Sequence, residues 1–224
     1  MRLFLASQDL GAHAETLRKM VGEKRQALVI SNARDYYNDE SRIASSVEKT
    51  LVNLDRIGIK ASRIDLKPYF NKPSELESLI RQSDVGLIFS IGGNVICLAT
   101  ALHASGMDEI IRNGVAADQF VYGGYSAGAM IATYDLSPYR LKPQPNQEPH
   151  PSTIFDITQT IYNLPPYEQG LGLISEYITP HMDRPDHIDA MNERLNNISQ
   201  IGGKAIRLND PEVYVVDGNT KEIL

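Results

Sequence analysis

One segment near the middle of the chain runs from an apolar stretch through glycines into small residues: Gln119-Phe120-Val121-Tyr122-Gly123-Gly124-Tyr125-Ser126-Ala127-Gly128-Ala129-Met130. The apolar stretch predicts a buried strand, and the small residues predict the first turn of a helix. Gly124, Ser126 and Gly128 fit the Gly-x-Ser-x-Gly pattern, in which a sharp turn exposes a serine hydroxyl above a sheet. The following helix offers N–H groups and its positive dipole end to an oxyanion. A nucleophilic Ser126 is predicted; a glycine-rich turn with an incidental serine is the alternative.

On the N-terminal side of this segment, short apolar runs alternate with amphipathic stretches, which is typical of a parallel α/β sheet. The predicted strands are Leu3–Ala6, Ala27–Ser31, Ala61–Asp65, Val85–Ile91 and Gln119–Gly123. The predicted helices are His13–Val21, Glu40–Ile57, Ser74–Gln82 and Val95–Ala104. We therefore expect an α/β fold with a mostly parallel sheet and helices on both of its faces.

The pattern changes after Ser126, because residues 137–166 hold seven prolines and show little regular period. They predict a long loop, with one helical turn around Ile154–Thr160. Beyond it, the predicted strands are Leu171–Ile174, Tyr177–Thr179, Lys204–Leu208, Glu212–Val216 and Lys221–Leu224, with a helix at Pro185–Ser199. Asn209-Asp210 and Asp217-Gly218 resemble turns, so this end predicts a short antiparallel meander. Residues 1–224 are expected to form a single domain.

Composition and charge indicate which partners and which cellular compartment to expect. The chain has 224 residues and a net charge of −6, with acidic and basic residues interspersed, so a nucleic-acid partner is not expected. The apolar run at the N-terminus is too short for a signal peptide or a membrane span, so no membrane association is expected. The one cysteine, Cys97, favours a reducing compartment, and we expect a cytoplasmic monomer or homodimer.

Two further segments place polar groups at the ends of predicted strands. Phe89-Ser90-Ile91-Gly92-Gly93-Asn94 predicts a Gly-Gly turn at the carboxyl edge of the sheet, where its N–H groups are suited to an oxyanion hole. Tyr177-Ile178-Thr179-Pro180-His181 places His181 at another strand end, which favours it as the base for the serine. The alternative is a metal site of His181 with Asp183 or His187, for which no third ligand is evident.

Three segments together resemble the peptidase E (aspartyl dipeptidase) family of serine peptidases and its cyanophycinase relatives. They are Ile91-Gly92-Gly93-Asn94, Gly124-Tyr125-Ser126-Ala127-Gly128-Ala129 and Thr179-Pro180-His181. The resemblance implies a flavodoxin-like sheet related to class I glutamine amidotransferases, with serine in place of their nucleophilic cysteine. It also implies that Ser126 is the nucleophile, that His181 is the general base and acid, and that the N–H groups of Gly93 and Ala127 form the oxyanion hole. It requires no metal or organic cofactor.

The chain departs from this family at the acidic member of the triad. The family places it 15 to 18 residues after the serine, where this chain reads Leu141-Lys142-Pro143-Gln144. Glu148 and Asp156 are the favoured replacements, Asp135 and Glu168 are also in range, and Gln144 or a backbone carbonyl would serve if no acid reaches His181. Three arginines are candidates to pair with a substrate carboxylate: Arg34, Arg140 and Arg184.

These features predict a serine-type hydrolase that cleaves short peptides, with dipeptidase activity implied by the resemblance. Two other functions stay open. The missing acid favours a catalytically weak or inactive member of the same fold that binds a small ligand, and the elbow alone also suits an esterase or amidase with a non-peptide substrate.

Overall fold

The computed structural model describes residues 1–37, 39–141 and 156–224. The strands in these ranges are β1 (Arg2–Ala6), β2 (Gln26–Ile30), β3 (Lys60–Ile64), β4 (Val85–Ser90), β5 (Val121–Tyr125), β6 (Tyr177–Thr179), β7 (Ala205–Arg207), β8 (Val213–Asp217) and β9 (Thr220–Ile223). The α-helices are α1 (Ala14–Val21), α2 (Glu40–Arg56), α3 (Pro73–Gln82), α4 (Val95–Ser105), α5 (Met107–Ala116), α6 (Ala127–Met130), α7 (Ile157–Tyr162) and α8 (Ile188–Gln200).

Seven strands form one sheet in the order β3-β2-β4-β5-β1-β8-β9. The five strands from β3 to β1 are parallel, whereas β8 pairs antiparallel with both β1 and β9. The predicted fold class, a mostly parallel α/β sheet with antiparallel C-terminal strands, is confirmed. Strand β5 lies between β4 and β1, so the segment that ends at Ser126 occupies the middle of the sheet.

Alternating side chains of each central strand pack on opposite faces of the sheet. In β1, Leu3 and Leu5 belong to one buried apolar cluster, and Phe4 and Ala6 belong to the other. The first cluster contains buried residues of α3, α4 and α5, and the second contains those of α1 and α2. Both faces of the sheet are therefore covered by helices, as a parallel sheet requires.

Helix α2 illustrates how apolar spacing, an N-terminal cap and a glycine set the limits of one helix. Ile43, Val47 and Leu54 are buried on one face, at helical spacings. The carboxylate of Asp39 caps its N-terminus by accepting hydrogen bonds from the backbone N–H groups of Ser41 and Arg42. The helix ends just before Gly58, which has a φ of 76°, a conformation that favours glycine after a helix end.

The C-terminal end differs from the predicted meander in one strand. Strand β7 does not join β8 and β9 but pairs parallel with β6, in a separate two-stranded sheet. The physical reason is the helix between them: α8 forms a crossover, and a helical crossover joins parallel strands whereas a short turn joins antiparallel ones. The predicted strand at 171–174 is not formed, and α5 is a helix that the pattern did not predict.

The proline-rich loop lies partly outside the described residues. Its described parts are a short 3-10 helix at Ser137–Tyr139 and α7, which begins close to the predicted helical turn. Within the described ranges, no helix combines the length and the apolar character needed to cross a bilayer.

Candidate active site

Ser126 is the turn between β5 and α6, and its backbone is strained. Its φ and ψ are 50° and −115°, a conformation rare for residues with a side chain. Its N–H donates to Ala6 O at 3.1 Å, which ties the turn to β1. A Cβ at Gly128 would lie 2.0 Å from Ser90 O, so only glycine allows the turn to approach β4 this closely. The predicted elbow is thus present in its geometry.

His181 follows β6 and reaches the serine across 55 residues of sequence. Its Nε2 lies 3.1 Å from Ser126 Oγ, within hydrogen-bond distance. The residue has a φ of 65°, and its N–H donates to Ser7 Oγ at 2.8 Å. The ring is held by the backbone of a tight turn and is largely buried. The pair that the sequence predicted is brought together, and its roles in catalysis stay predictions.

The carboxylate beside the imidazole belongs to Asp210, 29 residues after the histidine. His181 Nδ1 lies 2.5 Å from Asp210 Oδ1. Because β6 and β7 are parallel, with Thr179 opposite Arg207, the residues that follow both strands meet at the same edge. Arg184 Nε donates to the other oxygen of Asp210 at 2.5 Å. Ser126, His181 and Asp210 therefore form the hydrogen-bonded series of a serine hydrolase triad.

The carboxylate beside His181, Asp210, is not among the acids that the sequence favoured. Asp135 accepts hydrogen bonds from Ser137, Glu168 lies 3.9 Å from Arg140, and Asp156 is an exposed residue at the start of α7. Glu148 and Gln144 lie outside the described residues.

The physical reason for the error is the position of β7. Taken as part of an antiparallel meander, Asn209-Asp210 looked like a hairpin turn. As a strand parallel to β6, β7 instead brings Asn209-Asp210 to a sheet edge. Recognition of α8 as a crossover between β6 and β7 would therefore have pointed to Asp210.

Electrostatics favour a neutral imidazole and an ionised carboxylate. Burial lowers the pKa of His181 below its ordinary 6.5, and this outweighs the hydrogen bond and charge of Asp210, which act to raise it. Burial alone would raise the pKa of Asp210, but the hydrogen bonds from His181 and Arg184 bring it below its usual value. At neutral pH, Nε2 is then free to accept a proton from the serine.

The Gly-Gly turn lies against the serine. A Cβ at Gly92 would be 3.0 Å from Ser126 Cβ, and Gly93 has a φ of 153°. Asn94 Oδ1 caps α4 by accepting from the N–H groups of two residues in its first turn. In the part of the chain that the structure describes, the N–H groups of Gly93 and Ala127 donate to no other group. The role of these two N–H groups as oxyanion donors stays a prediction.

A cavity of about 260 Å³ opens over Ser126 and His181. Its other described lining residues are Gln8, Arg34, Tyr36, Tyr37, Gly92, Gly93, Tyr125, Met130, Arg184, His187, Met191 and Arg194. The set contains three arginines and no aspartate or glutamate, so the walls favour an anionic ligand.

The three arginines predicted to meet a substrate carboxylate have different environments. Arg34 lines the cavity, and its Nε donates to Gly92 O at 2.6 Å. Arg184 also lines it but is paired with Asp210. Arg140 is not a lining residue and lies near Glu168. Arg34 is thus the arginine best placed to contact a ligand beside Ser126.

Neither Asp183 nor His187, the predicted partners of His181 in the alternative metal site, is placed to form that site with it. Asp183 Oδ1 accepts the N–H of Asp210, and the His187 ring centre lies 5.7 Å from that of His181. In the ranges described above, His, Cys, Asp and Glu side chains form no group of three or more suited to a metal ion. Cys97 is buried beside the cap of α4, and burial raises the pKa of its thiol.

Comparisons with known proteins match the chain to a family and to solved structures of the same fold. The family model of peptidase family S51 matches residues 4–224. A crystal structure of a candidate peptidase E protein from Listeria monocytogenes EGD-e is 19% identical, with a TM-score of 0.75, over 100% of this chain and 97% of that one. A crystal structure of a peptidase from an acI-B1 Actinobacterium is 19% identical, with a TM-score of 0.68, over 100% and 86%. At this identity, both likenesses concern the fold. Among curated proteins, none matches the chain.

Proposed function

Since the chain belongs to peptidase family S51 and is a serine-type peptidase, we propose that it cleaves short peptides through an acyl-enzyme on Ser126. One observation carries the proposal. Ser126 Oγ, His181 Nε2, His181 Nδ1 and Asp210 Oδ1 form a continuous series, with distances of 3.1 Å and 2.5 Å at its two hydrogen bonds.

In this mechanism, Ser126 Oγ attacks the scissile carbonyl carbon while His181 Nε2 takes its proton. Asp210 holds the imidazole with its proton on Nδ1 and stabilises the imidazolium that forms. The oxyanion is held by the N–H groups of Gly93 and Ala127. His181 then protonates the leaving amine, the C–N bond breaks, and a water molecule activated by the same imidazole hydrolyses the ester on Ser126.

We propose that the residue on the acyl side of the scissile bond is acidic. Arg34 faces the cavity beside the Gly-Gly turn, and no aspartate or glutamate is among the described lining residues. A guanidinium fixed in this way pairs well with a carboxylate. The resemblance to peptidase E, a dipeptidase for N-terminal aspartate, is consistent with this substrate class.

The ligand-binding alternative depended on a missing acid, and the position of Asp210 removes that motivation. A non-peptide esterase or amidase would use the same catalytic series, so substrate tests separate it from a peptidase.

The first experiment compares wild type with Ser126→Ala on acidic dipeptides and on simple esters. Peptide turnover should fall by about 10⁴-fold or more in the variant, and labelling by a fluorophosphonate should be lost. Ser78→Ala, at an exposed serine of α3, is the matched control and should keep both. Unchanged peptide turnover in Ser126→Ala would contradict the proposal, and ester turnover without peptide turnover would favour the esterase.

We also propose that the protein acts in the cytoplasm, as a monomer or homodimer and without a nucleic-acid partner. The buried Cys97 is the chain's one cysteine, and the net charge is −6. Sedimentation of the purified protein, with and without nucleic acid, tests the assembly state and the expected lack of binding.

A further inference from the structure

A second cavity adjoins the one over Ser126. It measures about 390 Å³ and is lined by Arg34, Tyr37, Ser41, Arg42, Ser45 and Ser46. We refer to these six residues as the Arg42 groove. Arg34 and Tyr37 line both cavities, so the groove continues the candidate active site along the first turns of α2.

Tyr37 lies between two guanidinium groups. The Arg42 guanidinium is 4.0 Å from the centre of the Tyr37 ring, and that of Arg34 is 5.6 Å from it. Arg34 Nη1 also donates to the Tyr37 hydroxyl at 3.0 Å. Cation–π contact and this hydrogen bond hold both cations in place, which reduces the entropy lost when they bind a ligand.

The positive charge of the groove is not balanced by ion pairs. In the described part of the chain, no carboxylate lies within 4.0 Å of either guanidinium. Asp39 is close in sequence, but its carboxylate accepts from the backbone of Arg42 and from Ser41. The charge of Asp39 also acts on Arg42, but no carboxylate of the described residues forms an ion pair with either guanidinium, which favours an anion in the groove.

The two ends of the cavity have different neighbours. Because His181 must protonate the leaving amine, the proposed mechanism places the leaving group beside His181, whose neighbours are Arg184 and His187. The acyl portion then extends toward Arg34, and beyond Arg34 lies the Arg42 groove. The groove therefore follows the substrate on the N-terminal side of the scissile bond.

We propose that the Arg42 groove is a second anionic subsite, which binds a carboxylate one residue farther from the scissile bond than the carboxylate that faces Arg34. This inference rests on the proposed function. It extends the proposed substrate class from peptides with one acidic residue before the cleaved bond to short peptides with two.

The test uses three p-nitroanilides: Asp-Asp, Asn-Asp and Asp alone. Wild type should prefer Asp-Asp over Asn-Asp by about tenfold in kcat/KM, the size of one charge-assisted contact. Arg42→Met should remove that preference, and its loss of kcat/KM on Asp-Asp should exceed any loss on the single aspartate by about tenfold. Arg56→Met, at the exposed C-terminal end of the same helix, is the matched control and should keep the preference.

Binding gives a readout that does not need turnover. Ser126→Ala protein should bind Asp-Asp-Ala more tightly than Asn-Asp-Ala, and the difference should shrink as salt is raised. Equal kcat/KM or equal affinity for the matched peptides, or an equal loss on all three substrates in Arg42→Met, would overturn the subsite. Protein that cleaves none of the substrates and never reacts with a fluorophosphonate, yet still binds Asp-Asp-Ala selectively, would instead refute the proposed function.

Discussion

The two parts of the candidate active site are built in different ways. The serine half, β5 with Ser126 and α6, belongs to the seven-stranded sheet. The histidine half, β6, α8 and β7 with His181 and Asp210, belongs to the two-stranded sheet. The serine half follows a pattern of residues close in sequence, whereas the histidine half depends on pairing across a helical crossover.

Because of this difference, the geometry of the proposed triad depends on the contacts between the two sheets. The Ser126–His181 hydrogen bond spans 55 residues and joins the two sheets. A change in the serine half should act mainly through local strain, and a change in the histidine half should act mainly through the alignment of the imidazole. Each prediction below separates these two effects.

The largest effect is expected in the histidine half, from Asp210→Asn. An amide in this position favours the wrong imidazole tautomer, with its proton on Nε2, which then cannot accept from Ser126. We expect kcat to fall by about 10⁴-fold, as such a change does in a serine protease triad, with little change in KM. Steady-state kinetics on an acidic dipeptide provide the measurement.

Asp156→Asn, at an acid favoured by the sequence and exposed at the start of α7, is the matched control. It should leave kcat within about twofold, because surface substitutions away from a site have small effects. Similar losses in the two variants would contradict the assignment of Asp210.

The same contrast explains how much the sequence could predict. The strand, elbow and helix around Ser126 were readable because each step follows a local pattern, and the parallel sheet followed from alternating strands and helices. His181 was found because it follows an apolar strand. Asp210 was missed because its role requires knowing that β7 pairs with β6, and no local pattern distinguishes a turn residue from a sheet-edge residue.

The next effect tests the close packing of the serine half against β4. Gly128→Ala would place a Cβ 2.0 Å from Ser90 O, a backbone atom in the neighbouring strand. We expect a loss of about 3 kcal/mol in the free energy of unfolding, at the upper end for overpacking, together with loss of activity. Urea denaturation followed by circular dichroism measures it.

Gly202→Ala, in the histidine half, is the control for this prediction. Gly202 has a φ of 70°, and a Cβ there would meet no atom within 4 Å. Its loss should be about 1 kcal/mol, from backbone strain alone. Equal losses at the two positions would show that the elbow tolerates a side chain and that close packing is not what fixes Ser126.

A smaller effect is expected from Arg184→Met, which removes the cation beside Asp210. Burial lowers the pKa of His181 most, and the charges of Arg184 and His187 add to this, while Asp210 opposes it. Without Arg184, the pKa of His181 should rise, so the acid limb of the kcat/KM profile should move to higher pH. We expect about a tenfold loss of kcat from looser alignment of Asp210, with partial recovery in Arg184→Lys. A profile that keeps its position would indicate that Arg184 has only a structural role.

The smallest effect is expected at Ser7, which joins the two halves directly. It follows β1 in the large sheet, is fully buried, and its Oγ accepts the N–H of His181 at 2.8 Å. The same hydroxyl lies 3.3 Å from Asp210 Oδ1.

Ser7→Ala leaves the N–H of His181 without this acceptor, and one such hydrogen bond is worth about 1 kcal/mol, or about fivefold in rate if the energy appears as misalignment. We therefore expect kcat to fall by about that factor while KM and the rate of unfolding change little, because the lost contact is at the joint and not in either core. Ser7→Thr, which keeps the hydroxyl, should restore most of the rate. A Ser7→Ala enzyme with full activity would show that the pairing of β6 with β7 alone positions His181. The hydrogen bond between Ser7 and the His181 N–H would then not be needed for alignment.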